Sequence, residues 1–209
     1  MTTVLYIQAS PRGGQSYSIQ AADAFINAYT EHHPDDQIDK LNLFEADLPA
    51  FKAEAAAAKF KIPGNQQVTP EERSVWTDVE ALIEQFKAAD KIVLAAAMWN
   101  FSIPYRLKQY IDILVQPGYT FTVGENGYEG LVKDKPLMAV YARGGAYPEG
   151  SPGAAYDMQI PYTELVFGFM GFTDIRKLVV EPTKQEGKEG AEKALAAAVA
   201  QVDALAKKF

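Results

Sequence analysis

The sequence predicts a doubly wound α/β fold in which five parallel strands, in the order 2-1-3-4-5, are covered by helices on both faces. Three observations carry the prediction. Short apolar runs of strand length alternate with segments of helical periodicity, the junctions hold turn or capping residues, and the loops after strands one, three and four are unusually rich in serine, glycine or aromatic side chains.

The first strand is Val4-Leu5-Tyr6-Ile7, apolar throughout as a strand buried on both faces must be, and it ends in the turn-forming Ser10-Pro11-Arg12-Gly13-Gly14. A helix follows, capped by Ser16 or Ser18, with Ala21, Ala22, Phe25, Ile26 and Tyr29 on one face. Residues 38–43 read as the second strand, interrupted by Asp39, Lys40 and Asn42. Residues 47–68 read as an insertion, because the alanines from 53 to 58 favour a short helix that Pro63-Gly64-Asn65 stops. Thr69-Pro70-Glu71-Glu72 is the clearest helix start: a hydroxyl N-cap, proline at the first helical position and a glutamate placed to close a capping box. Val75, Trp76, Val79, Leu82, Ile83 and Phe86 then form one stripe, and residues 92–97 are the third strand. Pro104 opens a helix with Leu107, Ile111 and Leu114 inward, and Asn126-Gly127 signals a hairpin within residues 118–130. Residues 137–141 form the fourth strand, 162–170 a helix, 175–180 the fifth strand and 190–208 the last helix.

At 209 residues the chain is read as one domain, 1–209, with 48% hydrophobic and 22% charged residues in the globular range. A net charge of -7 and a pI near 4.9 argue against a nucleic-acid partner, which needs a clustered basic face. Cysteine is absent, which excludes disulfides, thiol nucleophiles and sulfur metal sites. No run reaches the roughly 18 apolar residues of a membrane span, and Met1 leads straight into a strand, so a cytoplasmic protein without membrane contact is expected. His32 and His33 stand in a polar stretch without further ligands at metal spacing, so no metal is expected. No histidine accompanies the serines of the first loop, which argues against a serine hydrolase.

In such a sheet the ligand crevice lies at the carboxyl ends of the strands, beside the switch point between strands one and three. Ser10, Ser16, Tyr17 and Ser18 follow strand one and offer hydroxyls and backbone N–H groups just before a helix N-terminus, a suitable phosphate cradle. It is neither a Walker loop nor a Gly-x-Gly-x-x-Gly fingerprint, and the same residues also suit a plain turn and cap. After strand three, Met98-Trp99-Asn100-Phe101-Ser102-Ile103-Pro104 places bulky apolar groups in a loop, where they suit a flat aromatic ligand or the closing of a core. After strand four, Arg143-Gly144-Gly145 permits close backbone approach and offers donors to a ring that gains negative charge, although a lone Arg-Gly-Gly is equally a glycine turn.

These motifs, with Leu107-Lys108, Glu125-Asn126-Gly127, Glu129-Gly130-Leu131 and the segment Gly168 through Asp174, resemble in order and spacing the bacterial FMN-dependent azoreductases, also called NADH:quinone reductases. The resemblance spans nearly the whole chain. It implies a flavodoxin-like homodimer with one noncovalent FMN per subunit and NADH or NADPH as co-substrate. By position, Ser10 and Ser16 to Ser18 would hold the phosphate, Met98, Trp99, Asn100 and Phe101 the ring, and Ala142, Arg143, Gly144 and Gly145 its pyrimidine side. Trp99, Ala142 and Tyr147 depart from the tyrosine, serine and histidine frequent in that family, which bears on substrate choice more than on FMN. The implied reaction is ping-pong: hydride from the nicotinamide to the flavin, then two electrons to a quinone or azo compound, with Arg143 steadying the reduced ring and no catalytic triad required. The alternatives are a flavodoxin-like single-electron carrier without its own nicotinamide reaction, and a reductase that releases reduced FMN.

Overall fold

The computed structural model describes residues 1–62, 64–125 and 127–209, so Pro63 and Asn126, read above as part of a helix stop and of a hairpin turn, lie outside the described residues. Along the chain run β1 (Thr3–Ala9), α1 (Tyr17–His32), β2 (Gln37–Asn42), α2 (Ala53–Lys61), α3 (Pro70–Ala88), β3 (Lys91–Ala97), α4 (Tyr105–Leu114), β4 (Phe121–Gly124), β5 (Gly127–Gly130), β6 (Leu137–Ala142), α5 (Ile160–Met170), β7 (Ile175–Val180), α6 (Gly187–Val199) and α7 (Val202–Ala206). The main sheet has the order β2-β1-β3-β6-β7, all parallel, which is the 2-1-3-4-5 order expected. Ile7 pairs with Leu94 and Leu94 with Ala139, so the central strands end at one level and present their loops together.

Strand alternation divides the core between two faces. Leu5, Ile7, Ile92, Leu94, Leu137 and Ala139 point to α3, α4 and α5, where they meet Trp76, Phe86, Tyr110 and Phe167. Val4, Tyr6, Val93, Met138 and Val140 point to α1 and α6, where they meet Phe25, Tyr29 and Ala198. Each Val, Leu, Ile, Phe or Met among them contributes roughly 1.5 to 3 kcal/mol on burial, so the two cores clamp the sheet from both sides. The capping box forms as expected: Thr69 Oγ1 accepts from the Glu72 N–H at 3.2 Å, and Glu72 Oε2 accepts from the Thr69 N–H at 2.9 Å.

The final helix departs from the sequence reading. The Gln201 N–H bonds back to Ala198 O at 3.0 Å, a tightened turn that separates α6 from α7. The bend carries Val202 and Ala206 into the core and seats Phe209 against Phe25, ring centroids 5.4 Å apart.

The β4–β5 hairpin stands outside the main sheet and leans on α5, with Phe121 and Tyr128 packed on Phe169 at centroid distances of 4.7 and 5.4 Å. Its base touches backbone to backbone. A Cβ on Gly130 would lie 2.3 Å from Gly171 N, and Gly171 ends α5 with φ 117°, a left-handed conformation that favours glycine.

Candidate functional site

A cleft of about 350 Å³ opens at the carboxyl ends of β1, β3 and β6, the place the topology assigns to a ligand. Its first wall is the loop after β1. Gly13, at φ 50°, starts a tight turn that delivers Ser16 to the N-cap position of α1. The Ser16 hydroxyl does not cap the helix; it stands 3.0 Å from Ser18 Oγ, and both serines are buried. Among the described residues the N–H groups of Tyr17 and Ser18 have no acceptor, so the first turn of α1 keeps its donors and its partial positive charge. Ser10 is buried beside them, its hydroxyl accepting from the Arg12 N–H at 3.4 Å. Ser10, Ser16 and Tyr17 line the cleft, whereas Ser18 stands behind Ser16.

The second wall is the loop after β3. Trp99 and Ser102 exchange two backbone hydrogen bonds of 2.9 Å, which closes a two-residue turn with Asn100 at φ 46° and Phe101 at φ 71°. Both φ values are positive, as in a type I′ turn. Asn tolerates this conformation; a phenylalanine there stores roughly 1 to 3 kcal/mol of strain. The Phe101 ring is half exposed and packs on Tyr156 at 5.2 Å, while its carbonyl accepts from the Met158 N–H at 2.9 Å. Met98 holds the loop to β6 through its N–H and Ala142 O at 2.8 Å. Trp99 wedges between Phe44 and Tyr105, at 5.8 and 6.1 Å, and separates the cleft from a wider hollow lined by Phe51, Tyr105 and Lys108.

The third wall corrects the sequence reading. Arg143 is buried and does not line the cleft: its guanidinium donates to Asp157, and its Nε lies 3.0 Å from Glu181 Oε2 in a geometry too poor for a hydrogen bond. Two carboxylates occupy the cation that the Arg-Gly-Gly motif had offered to a ligand. Ala142 and Gly144 do line the cleft; Gly145 stands one step back, its Cα facing the Tyr147 ring. Among the described residues the N–H groups of Gly144 and Gly145 have no acceptor.

Sequence reasoning missed a fourth wall, the loop after β7. Thr183 donates its N–H and its hydroxyl to Arg143 O at 2.8 and 3.0 Å, and the Lys184 N–H donates to Gly144 O at 3.0 Å, so this loop is stitched to the one after β6. The Lys184 stem lies along Gly144, where an added Cβ would come within 3.4 Å of its Cδ. The signal was present in the topology, since β7 neighbours β6 and ends at the same level.

The electrostatics of the cleft oppose those of the chain. The protein carries a net charge of -7, yet among the described residues the lining holds Arg12 and Lys184 and no carboxylate. Among the described residues neither cation is engaged in an ion pair. Hydroxyls and helix donors at one end, methionine and aromatic groups in the middle, and glycine amides with a lysine at the other end suit a flat ring carrying an anionic tail. Among the described residues no group of three or more His, Cys, Asp or Glu is placed to hold a metal, and no helix is long and apolar enough to cross a membrane.

A family model described as flavodoxin-like fold matches residues 2–206. The chain is 49% identical over 209 residues to the FMN-dependent NADH:quinone oxidoreductase of Nitratidesulfovibrio vulgaris (strain DP4), covering all of both chains. Among solved structures it is similar to an azoreductase from Bacillus anthracis str. Sterne, at 34% identity and a TM-score of 0.93 over the whole of both chains. It is also similar to an FMN-dependent NADH-azoreductase from Bacillus anthracis str. Ames Ancestor in complex with FMN, at 26% identity and a TM-score of 0.90, covering 100% of this chain and 99% of the other.

Proposed function

Because this chain belongs to the flavodoxin-like family of FMN-dependent NADH:quinone oxidoreductases, we propose that it passes two electrons from NADH to quinones and to azo compounds. FMN, when bound, would supply the redox chemistry of hydride acceptance and two-electron delivery. The chain's own residues bind and orient. Ser10, the Ser16–Ser18 hydroxyl pair and the free N–H groups of Tyr17 and Ser18 receive the phosphate. Met98 through Phe101 lie against the ring, and Ala142 with the Gly144 and Gly145 amides meets its pyrimidine edge. Arg143 acts through position: its ion pairs tie the loop after β6 to Asp157 and Glu181, while its carbonyl holds Thr183. The observation that carries the reading is the buried Ser16–Ser18 pair at a helix N-terminus, in a cleft where the charged side chains among the described residues are cations.

The chain is read as one FMN-binding domain over 1–209 that pairs with a second copy. Exposed Val123, Tyr128 and Leu165 around the hairpin and α5 support the pairing. A flavin absorbance band in the purified protein and steady NADH oxidation with a quinone and no other protein are expected. A flavoprotein that turns over only with a protein partner would establish the electron-carrier reading instead. Sedimentation at micromolar concentration is expected to report a dimer, and a fully active monomer would exclude it.

A further inference from the structure

We infer that Lys184, and not Arg143, is the residue through which the protein favours the reduced form of its flavin over the oxidised form. The inference rests on the FMN reading above. Hydride from NADH brings two electrons and one proton; with that proton on N5, the neutral ring becomes a monoanion whose charge is shared between N1 and the adjacent carbonyl oxygen, and NADH leaves as NAD⁺. A protein that binds the anion better than the neutral ring needs a positive group whose charge is available to the ring's pyrimidine edge.

Arg143 cannot supply it. Its guanidinium is buried between Asp157 and Glu181, and that trio carries one net negative formal charge, one cation against two carboxylates. A ring anion beside the loop after β6 therefore meets a negative background. Lys184, in the loop after β7 that is stitched to this one, is a cation that lines the cleft. Its N–H is anchored on Gly144 O, its stem runs along the Gly144 backbone, and its ammonium has no acidic partner among the described residues. The remaining cation of the lining, Arg12, belongs to the loop after β1, at the phosphate end.

The test compares wild type, Lys184→Gln and Lys184→Arg as holoenzymes, with two readouts apart from turnover: the two-electron midpoint potential of bound FMN against a reference dye, and the affinity for oxidised FMN. Lys184→Gln is expected to weaken binding of reduced FMN about fivefold relative to oxidised FMN, the size of a partly screened charge pair. That ratio corresponds to a midpoint about 20 mV more negative for a two-electron couple. Affinity for oxidised FMN stays within about twofold, Lys184→Arg restores the potential, and the difference shrinks near 1 M salt, where screening acts over about 3 Å. An unchanged potential in Lys184→Gln, or equal loss of affinity for both forms, would overturn the inference and leave FMN binding by the wild type standing. A wild-type protein that takes up no FMN would overturn the FMN reading, and this inference with it.

Discussion

The loops after β1 and β3 face each other across the same cleft and are built on opposite principles. The first is polar and relaxed: small buried hydroxyls, unpaired amides at a helix end, and positive φ only at glycine. The second is aromatic and strained, with two consecutive non-glycine residues in the left-handed region and a phenylalanine ring half out in solvent. Fixed donors suit a group that stays bound, because they cost little reorganisation when the ligand arrives. A strained, exposed aromatic turn suits the side where flat molecules enter and leave. Binding of the resident group and choice of the visiting one are thus assigned to different stretches of sequence.

The strongest test of that division is Ser16→Ala with Ser18→Ala. Charge-assisted hydrogen bonds contribute roughly 1.5 to 3 kcal/mol each, so FMN affinity is expected to fall by about 10²- to 10⁴-fold in a fluorescence titration. The Michaelis constant for a quinone at saturating FMN stays the same. Unchanged FMN affinity would remove the phosphate assignment and the comparison with it.

Trp99→Ala probes the opposite wall. Loss of a stacking surface worth about 0.5 to 1.5 kcal/mol is expected to raise the Michaelis constant for a bulky quinone roughly two- to tenfold, more than that for NADH, with FMN content unchanged. Trp99 also packs on Phe44 and Tyr105. A melting temperature that collapses while the kinetic constants hold would make it a packing residue and no more.

The strain itself is measurable by pairing Phe101→Gly with Phe101→Ala. Both lose the contact with Tyr156, but only glycine relieves the positive φ. The alanine variant is expected to melt about 2 to 4 °C below the glycine variant, the shift that about 1 kcal/mol produces in a chain of this size. Equal melting temperatures would mean the turn is not strained.

The smallest effect is a control outside both loops. The Lys61 ammonium at 2.5 Å, helped by the Thr69 N–H, holds the Glu72 carboxyl below the ordinary glutamate range. A carboxyl depressed in the folded state adds stability that is complete above its unfolded pKa and is lost as the pH falls through the folded one. The gap in melting temperature between wild type and Glu72→Gln is therefore expected to narrow from pH 7 to pH 3, with FMN affinity unmoved. A gap that widens on acidification would reverse the sign of the argument.

The parts of the molecule that local chemistry dictates were readable in the sequence. The five strands, their order and the Thr69–Glu72 capping box follow from period, length and short-range hydrogen bonding, as do three of the four loops around the cleft. What escaped depends on distant partners or on backbone choices that residue type does not announce. Arg143 reads as an available cation until Asp157 and Glu181, 14 and 38 residues further on, fold against it. Lys184 sits among ordinary polar residues, and only the pairing of β6 with β7 brings it to Gly144. Nothing in Phe101 advertises a left-handed residue, because it is neither glycine nor asparagine, and Ala200-Gln201 holds no helix breaker at the junction of α6 and α7.

The contact between Gly130 and Gly171 has a consequence for which parts of this protein can vary. With backbone against backbone at the hairpin's base, and 2.3 Å left for a Cβ on Gly130, neither site has room for even a methyl group. The hairpin's outer face carries Val123 and Tyr128 in solvent. A saturation library over this arm is therefore expected to return glycine alone at 130 and 171. The join between the arm and α5 is thus fixed by two glycines whatever the arm's outer face carries.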